Sequence, residues 1–148
     1  MEKVSEITIS YRPSFKERSQ PRINGSDDAY QVLRPHFNRD TLAIQEQFAV
    51  CYLSRNNQVK GVYAGFAGGI SGTVVDVRII LAIALKTGSS AIILAHNHPS
   101  GNKEPSLADQ CLTQKIKTAC DTMDLTLLDH LIITSENTYY SFADEGKL

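Results

Sequence analysis

Short apolar runs, separated by stretches rich in Gly, Asn and Ser, set the pattern of this chain. Runs with branched and aromatic side chains predict strands at 48–53, 59–66, 90–96, 125–133 and 138–142. Apolar residues three or four apart predict helices at 26–37, 77–86 and 107–122. The stripe predicted for the last helix consists of Leu107, Cys111, Leu112, Ile116 and Ala119.

The ends of these segments carry residues that favour turns and caps. Ser26, followed by two aspartates, caps the first helix, and Asp76 caps the second, which Gly88 closes. Asn56 and Asn57 predict a hairpin turn between the first two strands of the sheet. The order hairpin, helix, strand, helix, strand predicts an α/β protein whose single mixed sheet is covered by helices.

The first 25 residues have a different pattern from the rest of the chain. Imperfect alternation predicts an N-terminal strand from Val4, Ile7, Ile9 and Tyr11. Residues 12–25 contain two prolines and a glycine and predict a loop or arm. We therefore divide the chain into a strand and arm at 1–25 and one domain at 26–148. A glycine-rich flexible loop is predicted at 65–76.

Composition narrows the function classes. At 148 residues the chain fits one domain with an ample core. Its formal charge of −1 gives no overall signal for nucleic-acid binding, although Arg12, Lys16, Arg18 and Arg22 form a short basic segment. The segment MEKVSEITIS does not resemble a secretory signal. The longest apolar run, 79–85, is too short to cross a bilayer, so we expect a cytoplasmic protein.

Three cysteines, Cys51, Cys111 and Cys120, show no Cys-x-x-Cys spacing. We expect them to be reduced, buried thiols. Cys111 and Cys120 are nine residues apart on one predicted helix and cannot point at a single metal ion. The pattern therefore excludes a cysteine-ligated metal site.

The candidate chemistry lies in the segment AHNHPSGNKEPSLAD, residues 95–109. Residues two apart on a strand share a face, so His96 and His98 can converge on one point. With the carboxylate of Asp109, they could form a three-ligand zinc site that leaves a fourth position for water. Each part has another interpretation. The two histidines can be ordinary polar side chains exposed to solvent at a strand end, and Ser106 with Asp109 also resembles a helix capping box.

The complete string resembles the H-x-H-x7-S-x2-D signature of the JAMM (MPN) metalloprotease superfamily. His96, His98, Ser106 and Asp109 occupy its four positions. The HNHPSG and PSLAD segments, together with Leu128-Asp129-His130 and Tyr140-Ser141-Phe142, are similar to the bacterial RadC branch. The resemblance runs from about Glu46 to Leu148. It implies a three-layer α/β/α fold of the JAMM and cytidine-deaminase kind.

The resemblance also implies a role for each site residue. Zinc is expected on His96, His98 and Asp109, with Glu46 as the general acid and base. Ser106 could donate a hydrogen bond to the oxyanion that develops on the substrate. The implied activity is hydrolysis of an amide, peptide or isopeptide bond in an unidentified peptide or protein substrate.

A second interpretation stays open, because RadC proteins traditionally carry a DNA-repair or recombination label. RadC proteins usually have an N-terminal helix-hairpin-helix region, which we expect this chain to lack, so direct DNA binding should be weak or absent. The pair Asp129 and His130 is expected to form outer hydrogen bonds to the ligands or to the core. Thr73 and Arg78 are candidates for the rim of the site, and Asn97 and Ser100 for shaping the loop that fixes His98.

Overall fold

The computed structural model describes residues 3–69 and 72–148. The regular elements are α1 (Ser26–Leu33), β1 (Gln47–Leu53), β2 (Val59–Ala67), α2 (Val77–Lys86), β3 (Ala91–Asn97), α3 (Leu107–Thr122), β4 (Thr126–Ile133) and β5 (Tyr139–Ser141). Short 3-10 turns occur at Glu17–Ser19 and Arg34–His36. Each predicted element from residue 26 onwards is present. Residues 70 and 71, within the predicted loop at 65–76, lie outside the described residues.

The five strands form one sheet in the order β2-β1-β3-β4-β5. β3 and β4 pair in parallel, and the other neighbours are antiparallel. The parallel pair needs a crossover connection, which α3 provides. The prediction of a mixed sheet is confirmed, and β3 lies at its centre.

Helices cover both faces of this sheet. On one face, α1 packs against β1, β3 and β4 through Ala29, Tyr30 and Leu33. On the other face, α2 and α3 contribute Ile80, Ala84, Ile116 and Cys120 to a second apolar cluster. β3 is buried on both faces along its whole length, as its unbroken apolar run predicts. The fold is therefore the predicted three-layer α/β/α arrangement.

Local turn chemistry explains several element ends. Asn57 has a φ of 58° in the hairpin turn, and Gly88 has a φ of 63° just after α2. The side chain of Asp76 accepts a hydrogen bond from the backbone N–H of Arg78, which caps α2 as predicted. The first helix differs from the prediction, because Ser26 is its first residue and makes no capping hydrogen bond.

The predicted N-terminal strand is wrong. Residues 3–11 have no regular structure, and the side chains of Val4, Ile7 and Ile9 are 78–89% exposed. The outer edge at the start of β2 is already used by residues 21–23, since Val59 donates to the Pro21 carbonyl and Ile23 donates to the Asn57 carbonyl. Alternation supplies an apolar face but no pairing partner. The division of the chain at residue 25 stays a prediction.

The buried face of α3 also differs from the predicted stripe. Leu107 is 77% exposed and Cys111 is exposed, whereas Thr113, Ile116 and Cys120 are buried. The polar residue Thr113 belongs to the buried face because its hydroxyl makes hydrogen bonds. A prediction from apolar residues alone therefore selects the face of the helix next to the buried one. The expectation of three buried thiols therefore holds for Cys51 and Cys120 only. Across 3–69 and 72–148, no helix is long and apolar enough to cross a membrane.

Candidate metal centre

The candidate site lies at the carboxyl end of the central strand. His96 is the penultimate residue of β3, with Phe48 of β1 beside it on one side and Ile132 of β4 on the other. His98 follows the strand directly. The Nε2 atoms of the two histidines are 2.9 Å apart, so the prediction that both rings face one point is confirmed.

Asp109 approaches these rings from the first turn of α3. One carboxylate oxygen is 3.2 Å from His96 Nε2, and the other is 3.0 Å from His98 Nε2. One ligand atom from each of the three residues lies within 4.8 Å of the other two. The structure thus brings together all three residues predicted as metal ligands.

Ser106 and Asp109 form the capping box as well. The Ser106 hydroxyl accepts from the Asp109 N–H at 3.1 Å, and the Asp109 carboxylate accepts from the Ser106 N–H at 2.7 Å. The two interpretations of Asp109 are therefore compatible, because the capping contact and the histidine contacts share one carboxylate. The capping box fixes that carboxylate at the start of the helix, and the hydroxyl proton of Ser106 is not used by it.

The hydrogen bonds behind the rings decide which ring nitrogen faces the site. His98 Nδ1 is 2.7 Å from the Asn102 carbonyl oxygen, which can only accept, so Nδ1 carries the proton in the neutral ring. Its Nε2 lone pair then points at Asp109. A lone pair, a second imidazole nitrogen and a carboxylate at these distances repel each other unless a cation lies among them. This donor set fits a divalent metal ion such as zinc.

The pKa shifts of Asp109 and His98 indicate that, without a metal ion, a proton can take the position between the histidine rings and the carboxylate. Partial burial works to raise the pKa of Asp109, but contacts with the protonated forms of His96 and His98 hold it well below its ordinary value. Burial works to lower the pKa of His98, yet the hydrogen bonds with Asp109 and Asn102 raise it overall. The site therefore favours a positive charge between the histidines and the carboxylate.

Glu46 lies beside this cluster, in the segment just before β1. Its backbone N–H donates to the Gly69 carbonyl, and its carbonyl accepts from the Gly68 N–H and from the Thr73 hydroxyl. Desolvation raises the pKa of its carboxyl group, while His96 and His98 act to lower it. A carboxyl group with a raised pKa holds its proton more readily than an exposed glutamate, which suits a group that exchanges protons with its surroundings.

The cluster lies in a cleft of about 610 Å³. Phe48, Val75 and Leu112 line its apolar part, whereas Glu46, Ser106 and the three clustered residues supply polar groups. Thr73 also lines the cleft, as predicted for a rim residue. Arg78 does not, because its exposed side chain pairs with Asp76 at 3.0 Å.

Asn97 has a different role from the predicted one. Its fully buried side chain accepts from the Gln47 N–H at 2.7 Å and donates to the carbonyls of Leu42 and Gln45 at 2.7 and 2.9 Å. Asn97 therefore joins β3 to the segment that carries Glu46, rather than shaping the loop after His98. Ser100 does act in that loop, where its hydroxyl accepts from the Asn102 N–H.

His130 and Asp129 have the hydrogen-bonding roles expected from their apolar surroundings. His130 contacts His96 and Thr113 through its two ring nitrogens, and burial lowers its pKa well below the ordinary value. Asp129 accepts from Ser141 and from the backbone N–H of Ala143, which fixes the chain after β5. Sequence reasoning missed Thr113, whose only signal is a polar residue on the buried face of α3.

These features define a class: an α/β domain that carries a two-histidine, one-aspartate candidate metal centre at the end of its central strand. Residues 23–147 match the sequence model of a family described as the RadC-like JAB domain. The match covers most of the chain, and the protein belongs to this family.

Curated relatives agree with that assignment. A UPF0758 protein of Flavobacterium johnsoniae is 45% identical over 125 residues, which is 84% of this chain and 53% of the relative. A UPF0758 protein of Porphyromonas gingivalis is 40% identical over 136 residues, 92% of this chain and 59% of the relative. UPF0758 protein YfjY of Escherichia coli K12 is 42% identical over 104 residues, 70% of this chain and 64% of the relative. The chain thus spans 53–64% of the length of these relatives.

Proposed function

We propose that this protein is a JAMM-type metal-dependent hydrolase that cleaves an amide, peptide or isopeptide bond. The observation that carries the proposal is the convergence of two histidine nitrogens and one carboxylate, with a carboxyl group of raised pKa beside them. His96, His98 and Asp109 would hold zinc. When bound, zinc supplies Lewis acidity towards a carbonyl group and lowers the pKa of water.

Side chains of the protein supply proton transfer and stabilisation of the negative charge that develops during hydrolysis. Glu46 takes a proton from the attacking water and later delivers it to the leaving amine. The Ser106 hydroxyl, whose proton is not used in the capping box, donates to the oxygen that becomes negatively charged. Phe48, Val75 and Leu112 form an apolar wall of the cleft beside these groups.

We propose a peptide or protein substrate, and we expect direct DNA contact to contribute little. A formal charge of −1 supports this view, since binding to duplex DNA draws mainly on neutralising phosphates. The free cysteines fit a reducing compartment such as the cytoplasm.

The test is hydrolysis by the zinc-loaded chain and by Glu46→Gln. Both proteins would be incubated with a peptide library derived from a proteome, supplemented with isopeptide-linked peptides, and new termini would be counted by mass spectrometry. Glu46→Gln should retain zinc and lose about 10²–10⁴-fold in rate, because it removes the general acid and base. Loss of zinc in this variant would show that Glu46 is a ligand.

Glu104 offers a matched control, since it is an exposed acid that lines the same cleft. Glu104→Gln removes the same charge and should leave the rate unchanged within a few-fold. Cleavage that Glu46→Gln does not reduce, or no cleavage by the zinc-loaded wild type, would contradict the proposed function.

A further inference from the structure

A buried chain of hydrogen bonds connects two of the proposed ligands through a third element. His96 Nδ1 lies 2.8 Å from His130 Nε2, and His130 Nδ1 lies 2.7 Å from the Thr113 hydroxyl. That hydroxyl lies 2.6 Å from the backbone carbonyl of Asp109. His96, His130 and Thr113 are each at most 3% exposed. The chain thus runs from β3 through β4 to α3.

The backbone carbonyl of Asp109, at the end of this series of hydrogen bonds, determines which group donates in each of them. A carbonyl oxygen only accepts, so the Thr113 hydroxyl donates its one proton to Asp109. The hydroxyl must then accept from His130 Nδ1–H. Neutral His130 has one N–H, so its Nε2 accepts from His96 Nδ1–H. The His96 Nε2 atom is left with a lone pair that points into the cluster.

We propose that Thr113 and His130 are positioning residues that hold His96 in the tautomer a metal ion requires. The inference rests on the proposed function, because it assumes a metal ion on His96, His98 and Asp109. His98 receives the same tautomer from the Asn102 carbonyl. The tautomers of the two histidines are therefore determined by different groups. The buried ring of His130 acts on His96, and a loop carbonyl acts on His98.

Thr113 is needed because either ring nitrogen of a neutral histidine can carry the proton, so the His96–His130 hydrogen bond can form in either direction. Without the hydroxyl, His130 can carry its proton on Nε2 and donate it to His96 Nδ1. The His96 proton then moves to Nε2, where it occupies the position of the metal ion. Outer partners of this kind are worth about 10–100-fold in metal affinity. Removing one hydroxyl should therefore weaken metal binding without any direct contact with the metal.

Packing alone is the competing explanation. The His130 ring stacks on Phe142 with centroids 4.9 Å apart and an interplanar angle of 12°, so it could simply fill the core. Thr113→Val distinguishes the two roles, because valine has nearly the same shape and lacks the hydroxyl. Thr113→Ser keeps the hydroxyl and is the conservative control.

The experiment measures ring tautomers and zinc affinity on the full chain. Long-range ¹H–¹⁵N spectra of the metal-free protein at about pH 8 report which nitrogen of each histidine carries the proton. Zinc dissociation constants come from competition with a chromophoric chelator. We expect Nδ1–H on His96 and His130 in the wild type and in Thr113→Ser. Thr113→Val should show Nε2–H on His96 and a dissociation constant about 10–100-fold higher.

Three outcomes would be decisive. Nε2–H on His96 in the wild type overturns the inference, and this result does not depend on whether any variant folds. Zinc binding by Thr113→Val with the wild-type constant also overturns it. A wild type that binds no zinc contradicts the proposed function, whereas the tautomer spectra still test the hydrogen-bond chain separately.

Discussion

His96 and His98 lie two residues apart at the same strand end, yet their side chains are 2% and 15% exposed. The ring of His96 is oriented by the buried side chain of His130 on β4. The ring of His98 is oriented by the backbone carbonyl of Asn102 in an exposed loop. We call His96, His130, Asn97 and Thr113 the buried half of the site. We call His98, Asn102, Ser106 and Asp109 the exposed half.

The comparison indicates that the two halves depend on different parts of the fold. The buried half consists of side chains whose hydrogen bonds join several elements, so a change there affects the fold as well as the site. The exposed half is built within one segment, from His98 to Asp109, by a loop and a helix cap. Changes there should alter metal binding while leaving the fold largely intact.

Asn97→Leu should have the largest effect on stability. It leaves the Gln47 N–H and the carbonyls of Leu42 and Gln45 without their partner, and each unpaired buried group costs about 1–3 kcal/mol. We expect a loss of at least about 3 kcal/mol in urea unfolding. Asn102→Ala in the exposed half keeps the carbonyl that holds His98 and should cost about 1 kcal/mol or less. Equal losses would remove the distinction between the halves.

The two histidines give a second, smaller contrast. His96→Ala creates a cavity and leaves His130 Nε2 unpaired, so the metal-free protein should lose about 2–4 kcal/mol of stability. His98→Ala should stay within about 1 kcal/mol of the wild type. Chemical denaturation in the presence of a chelator measures both. A His98→Ala protein that fails to fold would show that the loop supports the core.

Metal affinity should fall in acid, by about tenfold for each pH unit per displaced proton. The pKa of His98 is raised above its ordinary value near 6.5 by Asp109 and Asn102, against the effect of burial. A raised pKa favours the protonated ring, and the metal ion must displace that proton. Affinity is therefore lost as the pH falls through the raised pKa. Zinc titrations at pH 5.5 and 7.5 that give the same constant would contradict this.

The same shifts set the pH window of the metal-free protein. The raised His98 pKa contributes stability below about pH 6.5 that is lost as the pH rises through the folded value. The lowered Asp109 pKa contributes stability above about pH 3.8 that is lost in stronger acid. The pair should therefore stabilise the metal-free fold most between these limits. His98→Ala should flatten this part of a stability profile measured with chelator.

The sequence predicted the exposed half better than the buried half. His98, Ser106 and Asp109 stand at fixed spacing in one segment, so a motif shows them directly. Thr113 and His130 come from separate elements, and only the parallel pairing of β3 with β4 and the packing of α3 bring them to His96. Helix and strand positions followed from periodicity, whereas the N-terminal strand did not form, because periodicity does not supply a pairing partner.

Duplex DNA binding should show the smallest effect of all. The basic segment from Arg12 to Arg22 lies outside both halves and can neutralise only a few phosphates. Each phosphate contact adds about −0.9 to the salt slope, so any binding should depend weakly on salt. A titration at physiological salt should give a constant no tighter than the non-specific range of about 10⁻⁴–10⁻⁶ M. Sub-micromolar binding would favour a DNA-repair role over hydrolysis.

Metal content is the most direct test of the proposed centre. Protein purified without added metal would be analysed by elemental mass spectrometry, beside His96→Ala and His98→Ala. We expect about one zinc per chain in the wild type and none at stoichiometric level in folded His98→Ala. Unchanged metal content in both histidine variants would contradict the assignment of His96, His98 and Asp109 as ligands.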